Sequence, residues 1–161
     1  MTARVIADGG KTLIRWAEEH LDRAKFRRDA VTIGVERDGI IRAVAVYDTF
    51  STTGCLVHLV SDGSKKWMTR EFLTAGFAYP FITCNFPGIT TLVSENNAEA
   101  LRLNTHLGWR QLGRLEEDGH DGEANIVMRM LRRECRWIPQ TFRRLDASAS
   151  SARPQALPPA G

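Results

Sequence analysis

A mixed α/β fold, with a central sheet of six or seven strands and helices on both faces, follows from three features of the sequence. β-Branched runs flank Asp38-Gly39, a dipeptide that favours a tight hairpin. From residue 55 to residue 117 strand and helix periods alternate, which requires parallel neighbours because a helix must cross back over the sheet. A second pair of strand-like runs surrounds a polar, glycine-containing turn at 117–122. The hairpins make the two ends antiparallel, and the crossover makes the middle parallel.

The elements justify themselves in order. Residues 10–26 read as a first helix, with Leu13, Ala17, Leu21 and Ala24 on one stripe and charge opposite. Runs at 30–37 and 40–49 form the first hairpin, and "CLVHLVS" at 55–61 is a third strand that stops at Asp62-Gly63. The period then becomes helical from Ser64 to Tyr79, through Met68, Phe72, Ala75 and Tyr79, with Pro80 placed to stop it. "ITTLVS" at 89–94 is a strand, and a helix capped by Ser94 or Asn96 follows, ended by Gly108. "GWRQLGRLEE" and "ANIVMRML" are the last two strands. The folded domain is expected to span 1–140, and the Ala/Ser/Pro-rich stretch at 146–161 to be disordered.

Composition excludes several functions. The chain has 161 residues, 43% of them apolar, which suits one hydrophobic core. A net charge of +3 is small for a nucleic-acid binder, and the arginine-rich stretch "LRRECRWIPQTFRR" reads as a solvated extension. Three cysteines, Cys55, Cys84 and Cys135, have no metal-ligand spacing and cannot all pair. No run approaches the roughly 18 apolar residues of a membrane span, and the amino end has no secretory pattern. A reduced, cytoplasmic protein is expected. Asp118, His120, Asp121 and Glu123 gather in "EEDGHDGE", which a polar turn explains without a metal. A ligand is expected outside the carboxyl ends of the central strands, near 61–65 and 94–97.

"NNAEALRLNTHLGWRQLG" carries a family resemblance. Asn97, Ala100, Leu103, Leu107, Gly108, Trp109 and Gly113 match, in order and spacing, the late motif of the GNAT superfamily of acyl-CoA-dependent N-acetyltransferases. The element order is similar over roughly 10–132, and specific residues match mainly over 94–113. The resemblance implies an acetyl-CoA site. It implies that the pyrophosphate rests on Ser61, Asp62, Gly63, Ser64, Lys65 and Lys66. The pantetheine arm would run between two splayed central strands and meet Asn97. A backbone N–H between Leu59 and Ser61 would receive the oxyanion.

Two departures accompany the match. The family's phosphate motif (Arg or Gln, two residues, Gly, one residue, Gly or Ala) is missing between Val60 and Phe72, where Trp67 and Thr69 take the places of small residues. Asn104 stands where the family often has a tyrosine acid, and an amide cannot yield a proton at ordinary pH. Proton acceptance from the amine falls to His58, Glu36 or Asp48. His58 leads because a free imidazole titrates near neutrality, although its alternation with Leu56 and Val60 also suits a core histidine. Tyr47 and Asp48 could line the acceptor pocket. The expected activity is acetyl transfer to a small-molecule or protein amine; the competing reading is a noncatalytic protein-interaction module of the same fold. A homodimer stays open.

Overall fold

The computed structural model describes residues 2–7 and 10–144. The tail expected at 146–161 lies outside the described residues. Seven strands form one mixed sheet: β1 (Ala3–Ala7), β2 (Val31–Arg37), β3 (Ile40–Asp48), β4 (Leu56–Ser61), β5 (Gly88–Ser94), β6 (Arg110–Leu115) and β7 (Asn125–Leu131). Their spatial order is β1-β2-β3-β4-β5-β7-β6, antiparallel throughout except for the central β4–β5 pair. Both expected hairpins are present. At the first, Asp38 and Gly39 take φ of 57° and 75°, the left-handed pair that a tight two-residue turn demands.

β1 was not expected. Five residues before Asp8-Gly9-Gly10 give too short a period to read, yet they pair in full register with β2 and form one edge of the sheet. α1 (Gly10–His20) ends before residue 26, because the chain turns away after His20 and Arg23 adopts φ of 56°. Leu13 and Ala17 nevertheless bury as the stripe requires, with Val44, Val46 and Val60 on one face of the sheet. The opposite face holds the larger core, to which α2 (Arg70–Ala78) gives Phe72, Leu73 and Phe77, and α3 (Ala98–Leu107) gives Leu107. β3 lies between both cores: Ala43, Ala45 and Tyr47 face the larger, Val44 and Val46 the smaller. That explains its near-continuous apolar run.

α2 starts after Thr69, not at Ser64, and the Thr69 Oγ1 accepts from the Phe72 N–H at 3.1 Å. Trp67 kept the helical period going in the sequence, but it belongs to a loop and buries edge-on to Phe72 with ring centres 6.1 Å apart. Pro80 ends the α-helix and opens a wider π-helical turn, Tyr79–Thr83, closed by the Cys84 N–H on the Tyr79 carbonyl at 2.9 Å. α3 is capped by Asn97 rather than by Ser94 or Asn96: its Oδ1 accepts from the Ala100 N–H at 3.1 Å. Gly108 ends the helix at φ of 111°, and Trp109 buries beside Phe77.

β4 and β5 meet at one end only. Leu56 pairs with Thr90, and the Thr90 N–H donates to the Cys55 carbonyl at 3.1 Å. A Cβ on Gly54 would lie 2.7 Å from the Gly88 carbonyl oxygen, so glycine permits this close approach. Beyond it the strands separate.

Candidate acetyl-transfer site

The separation of β4 from β5 leaves backbone groups without a ladder partner. The Asp62 N–H donates to the Arg42 carbonyl, so even-numbered residues of β4 face β3. By alternation Val57, Leu59 and Ser61 turn their N–H and C=O groups toward β5, as Cys55 does. On β5, Leu92 and Ser94 turn theirs toward β4, as Thr90 does. Past Leu56 and Thr90 no register pairs the two strands. The gap opens into a cleft of ≈ 870 Å³ that reaches both faces of the sheet, with His20, Leu21 and His58 on the α1 side and Phe72, Asn97 and Asn104 on the other.

On the α1 side two candidate bases form one pair. His58 Nε2 donates to Asp48 Oδ1 at 3.0 Å, and the Phe26 ring stands edge-on to the imidazole at 5.3 Å. Asp48 also accepts from the Thr49 hydroxyl at 3.3 Å and from the Arg27 backbone. Burial alone would raise the Asp48 carboxyl, but the hydrogen bond and charge of His58 and these other donors together hold it below its usual value. A carboxylate only accepts, so the neutral imidazole carries its hydrogen on Nε2 and leaves the lone pair on Nδ1. Glu36, the third candidate, pairs with Arg4 at 2.6 Å and is not part of the cleft wall. Tyr47 is fully buried, its hydroxyl given to the Gly76 carbonyl at 2.6 Å.

The loop after β4 is organised by Asp62. Its carboxylate accepts from the Ser64 N–H (2.9 Å) and hydroxyl (2.6 Å) and from Arg42 of β3 (3.0 Å). Burial pushes this carboxyl up, and Ser64 and Arg42 outweigh that and lower it. Gly63 turns the chain at φ of 83°. Lys65 and Lys66 are exposed, and Trp67 packs inward beneath the loop. Asn97 spends its Oδ1 on the helix cap, and its amide hydrogens have no partner among the described residues. Asn104 lines the cleft, and its side chain has no hydrogen bond to another described residue.

The cleft also contains residues that the sequence reading did not select. His20 stacks on Trp16 at 3.8 Å, its Nδ1 against the Trp16 carbonyl at 2.8 Å, and with Leu21 it forms the α1 end of the cleft. Its signal was hidden because the helix was read through to residue 26. The Arg42–Asp62 contact could have been found from strand register alone, since the two residues follow the β3–β4 pairs in sequence. All three cysteines are free and buried, and burial raises Cys55 to about 12, which makes it a poor nucleophile. Among the described residues no helix is long and apolar enough to cross a membrane, and no group of three or more His, Cys, Asp or Glu side chains could hold a metal ion.

No protein-family model and no curated protein matches the sequence. Solved structures do match the fold. A structure of mutant forms of the spermidine/spermine N-acetyltransferase SpeG from Vibrio cholerae superimposes with a TM-score of 0.68 at 13% identity, over 81% of this chain and 95% of that one. A structure of spermidine N-acetyltransferase from Vibrio cholerae in complex with CoA and spermine gives 0.65 at 12% identity, over 82% and 96%. The architecture is therefore the GNAT acetyltransferase fold.

Proposed function

We propose that a protein of this fold, with a cleft between splayed strands and, on its wall, His58 held from behind by the buried Asp48, transfers an acetyl group from acetyl-CoA to a primary amine. The observation that carries this reading is the β4–β5 gap, which opens onto α3 on one face and onto an oriented imidazole on the other. An extended arm bearing amides fits the free edges of Leu59, Ser61, Leu92 and Ser94. The Leu59 N–H then points where a thioester oxygen gains charge.

The amine nitrogen attacks the thioester carbonyl, the C–N bond forms, and the C–S bond breaks with its electron pair leaving on the thiolate. His58 Nδ1 takes the proton of the amine, directly or through a water, and returns it to solvent or to the thiolate. Asp48 is the positioning residue: it holds the ring through Nε2 and favours the imidazolium that forms. Asn104 donates a hydrogen bond to the departing sulfur without yielding a proton. That is sufficient because a thiol, near pKa ~8.5, leaves readily as its anion.

Isothermal titration with acetyl-CoA, followed by a screen of primary amines, tests the proposal. Saturable binding and release of free thiol with at least one amine are expected. No binding at millimolar acetyl-CoA would leave the noncatalytic reading of the fold standing.

A further inference from the structure

We infer that the acceptor is a primary amine on an uncharged, apolar body, an alkyl or arylalkyl amine, and not a diamine or polyamine. The inference rests on the acetyl-transfer reading and names the substrate class of that site. The side chains around His58, and the partners of the carboxylates near it, carry it.

The amine has to reach His58 Nδ1, so its body lies on the α1 face of the cleft. On β4, Val60 packs with Leu13 and Ala17, and by alternation His58 shares its face. On β5, Val93 belongs to the larger core on the other face, so Leu92 and Ser94 turn toward the α1 face. Leu21, 40% exposed, and His20 line the same space from the end of α1, and Phe26 stands edge-on to His58. His20 gives its Nδ1 hydrogen to the Trp16 carbonyl at 2.8 Å and offers at most a neutral lone pair on Nε2. Apart from the two imidazoles and the Ser94 hydroxyl, this wall is apolar.

No carboxylate answers a second ammonium there. Among the described residues that line the cleft, Glu99 is the only acid, and it stands in the first turn of α3 on the opposite face. Asp48 lies behind His58 and accepts from His58, Thr49 and the Arg27 backbone. The acids before β2 have partners of their own, and none lines the cleft. Glu18 accepts from the Phe26 N–H and from Lys25, Asp22 pairs with Arg23 at 3.2 Å, and Asp29 with Arg27 at 3.4 Å. Asp121, from the turn between β6 and β7, also meets Arg23, at 3.1 Å. Glu19 is exposed, two residues past the buried Ala17 and so about 200° round the helix from it. One step along the face from Leu92, Thr90 holds a positive charge: Arg129 Nη1 donates to its Oγ1 at 3.0 Å. A second ammonium carried into this space leaves water without a counter-charge, whereas a methyl group or a ring buries against Leu21 and Leu92.

The test is kcat/KM for acetyl transfer to n-pentylamine, 2-phenylethylamine and 1,4-diaminobutane, the last matching pentylamine with an ammonium in place of the terminal methyl. Both monoamines should exceed the diamine by about tenfold or more. Leu21→Glu, which sets a carboxylate in the wall, should narrow that preference by at least about threefold. A diamine used as well as pentylamine by the wild type overturns this inference and leaves acetyl transfer intact. So does an unchanged preference in an L21E variant whose circular dichroism matches wild type, and so does acetyl-CoA binding with transfer to none of the three amines. No binding of acetyl-CoA overturns acetyl transfer, and the inference with it.

Discussion

Asp48 is buried against His58, Thr49 and the backbone of Arg27, so its proton affinity is coupled to folding. Its folded value lies below the ordinary one. The stabilisation it gives is therefore fully present above the unfolded value near ~3.9 and lost as pH falls through the lower, folded value. Asp48→Asn should remove this part of the pH dependence. In denaturant melts from pH 6 downward, the stability gap between wild type and variant should narrow below about pH 4; a constant gap would show that Asp48 is not ionised by its partners. His58 makes the complementary prediction. With an accepted amine, His58→Ala should lower turnover by roughly 10²-fold, the usual scale for a positioned base, while Asn104→Ala costs less. Rate against pH for both variants checks this, and an H58A enzyme of normal rate and profile returns His58 to the core. The sequence showed both members of the pair as separate candidates. Their contact needed the β3–β4 register, in which Asp48 faces Leu56 and Val46 faces His58.

At the scale of elements, the two ends of the Asn97 amide are placed differently. Oδ1 caps α3, and Nδ2, on a residue that lines the cleft, has no hydrogen-bond partner among the described residues. Asn97→Ser keeps a capping oxygen and removes the amide donor; Asn97→Ala removes both. We expect the serine variant to retain stability and bind acetyl-CoA several-fold more weakly, with the alanine variant losing about 1 kcal/mol of stability besides. Equal acetyl-CoA affinity in wild type and N97S, measured by titration, would confine Asn97 to the cap. Element types were legible where a local signal decided them, as at Asp38-Gly39 and Gly108. Boundaries failed where tertiary packing continued a period without its helix. Trp67 buries from a loop, and Leu21 extends the α1 stripe in sequence while its exposed side chain lines the cleft. β1 had only Val5-Ile6 and the Asp8-Gly9-Gly10 turn signal after it, too short a run to decide, and its pairing with β2 makes it a strand.

Across the whole molecule, the mixed sheet was legible because a crossover helix leaves few alternatives for the strands it joins. The gap within it was not derivable from the residues: nothing in "LVHLVS" or "ITTLVS" says where two parallel strands cease to pair, and the resemblance alone implied a splay. The gap predicts a pattern in hydrogen exchange. Leu59, with its N–H toward the gap, should exchange faster than Val60, whose N–H faces β3, and acetyl-CoA should protect Leu59 selectively. Equal protection of the two amides without ligand would mean that the strands close in solution.

Gly54 and Gly88 give the sheet a fulcrum. From their contact the strands diverge as two arms, and β4 runs from Leu56 to Ser61, about 16 Å at ~3.3 Å per residue. A displacement of a few tenths of an ångström at that contact would be carried along the strand, so the width of the gap is expected to depend on it. Gly54→Ala sets a methyl against the Gly88 carbonyl, where backbone has to yield. The acetyl-CoA dissociation constant of that variant should change while His58, Asp48 and Leu59 stay intact, and an unchanged constant in a folded G54A would mean that the arms move independently of their pivot. Selection on donor fit can therefore act on a glycine that touches no substrate.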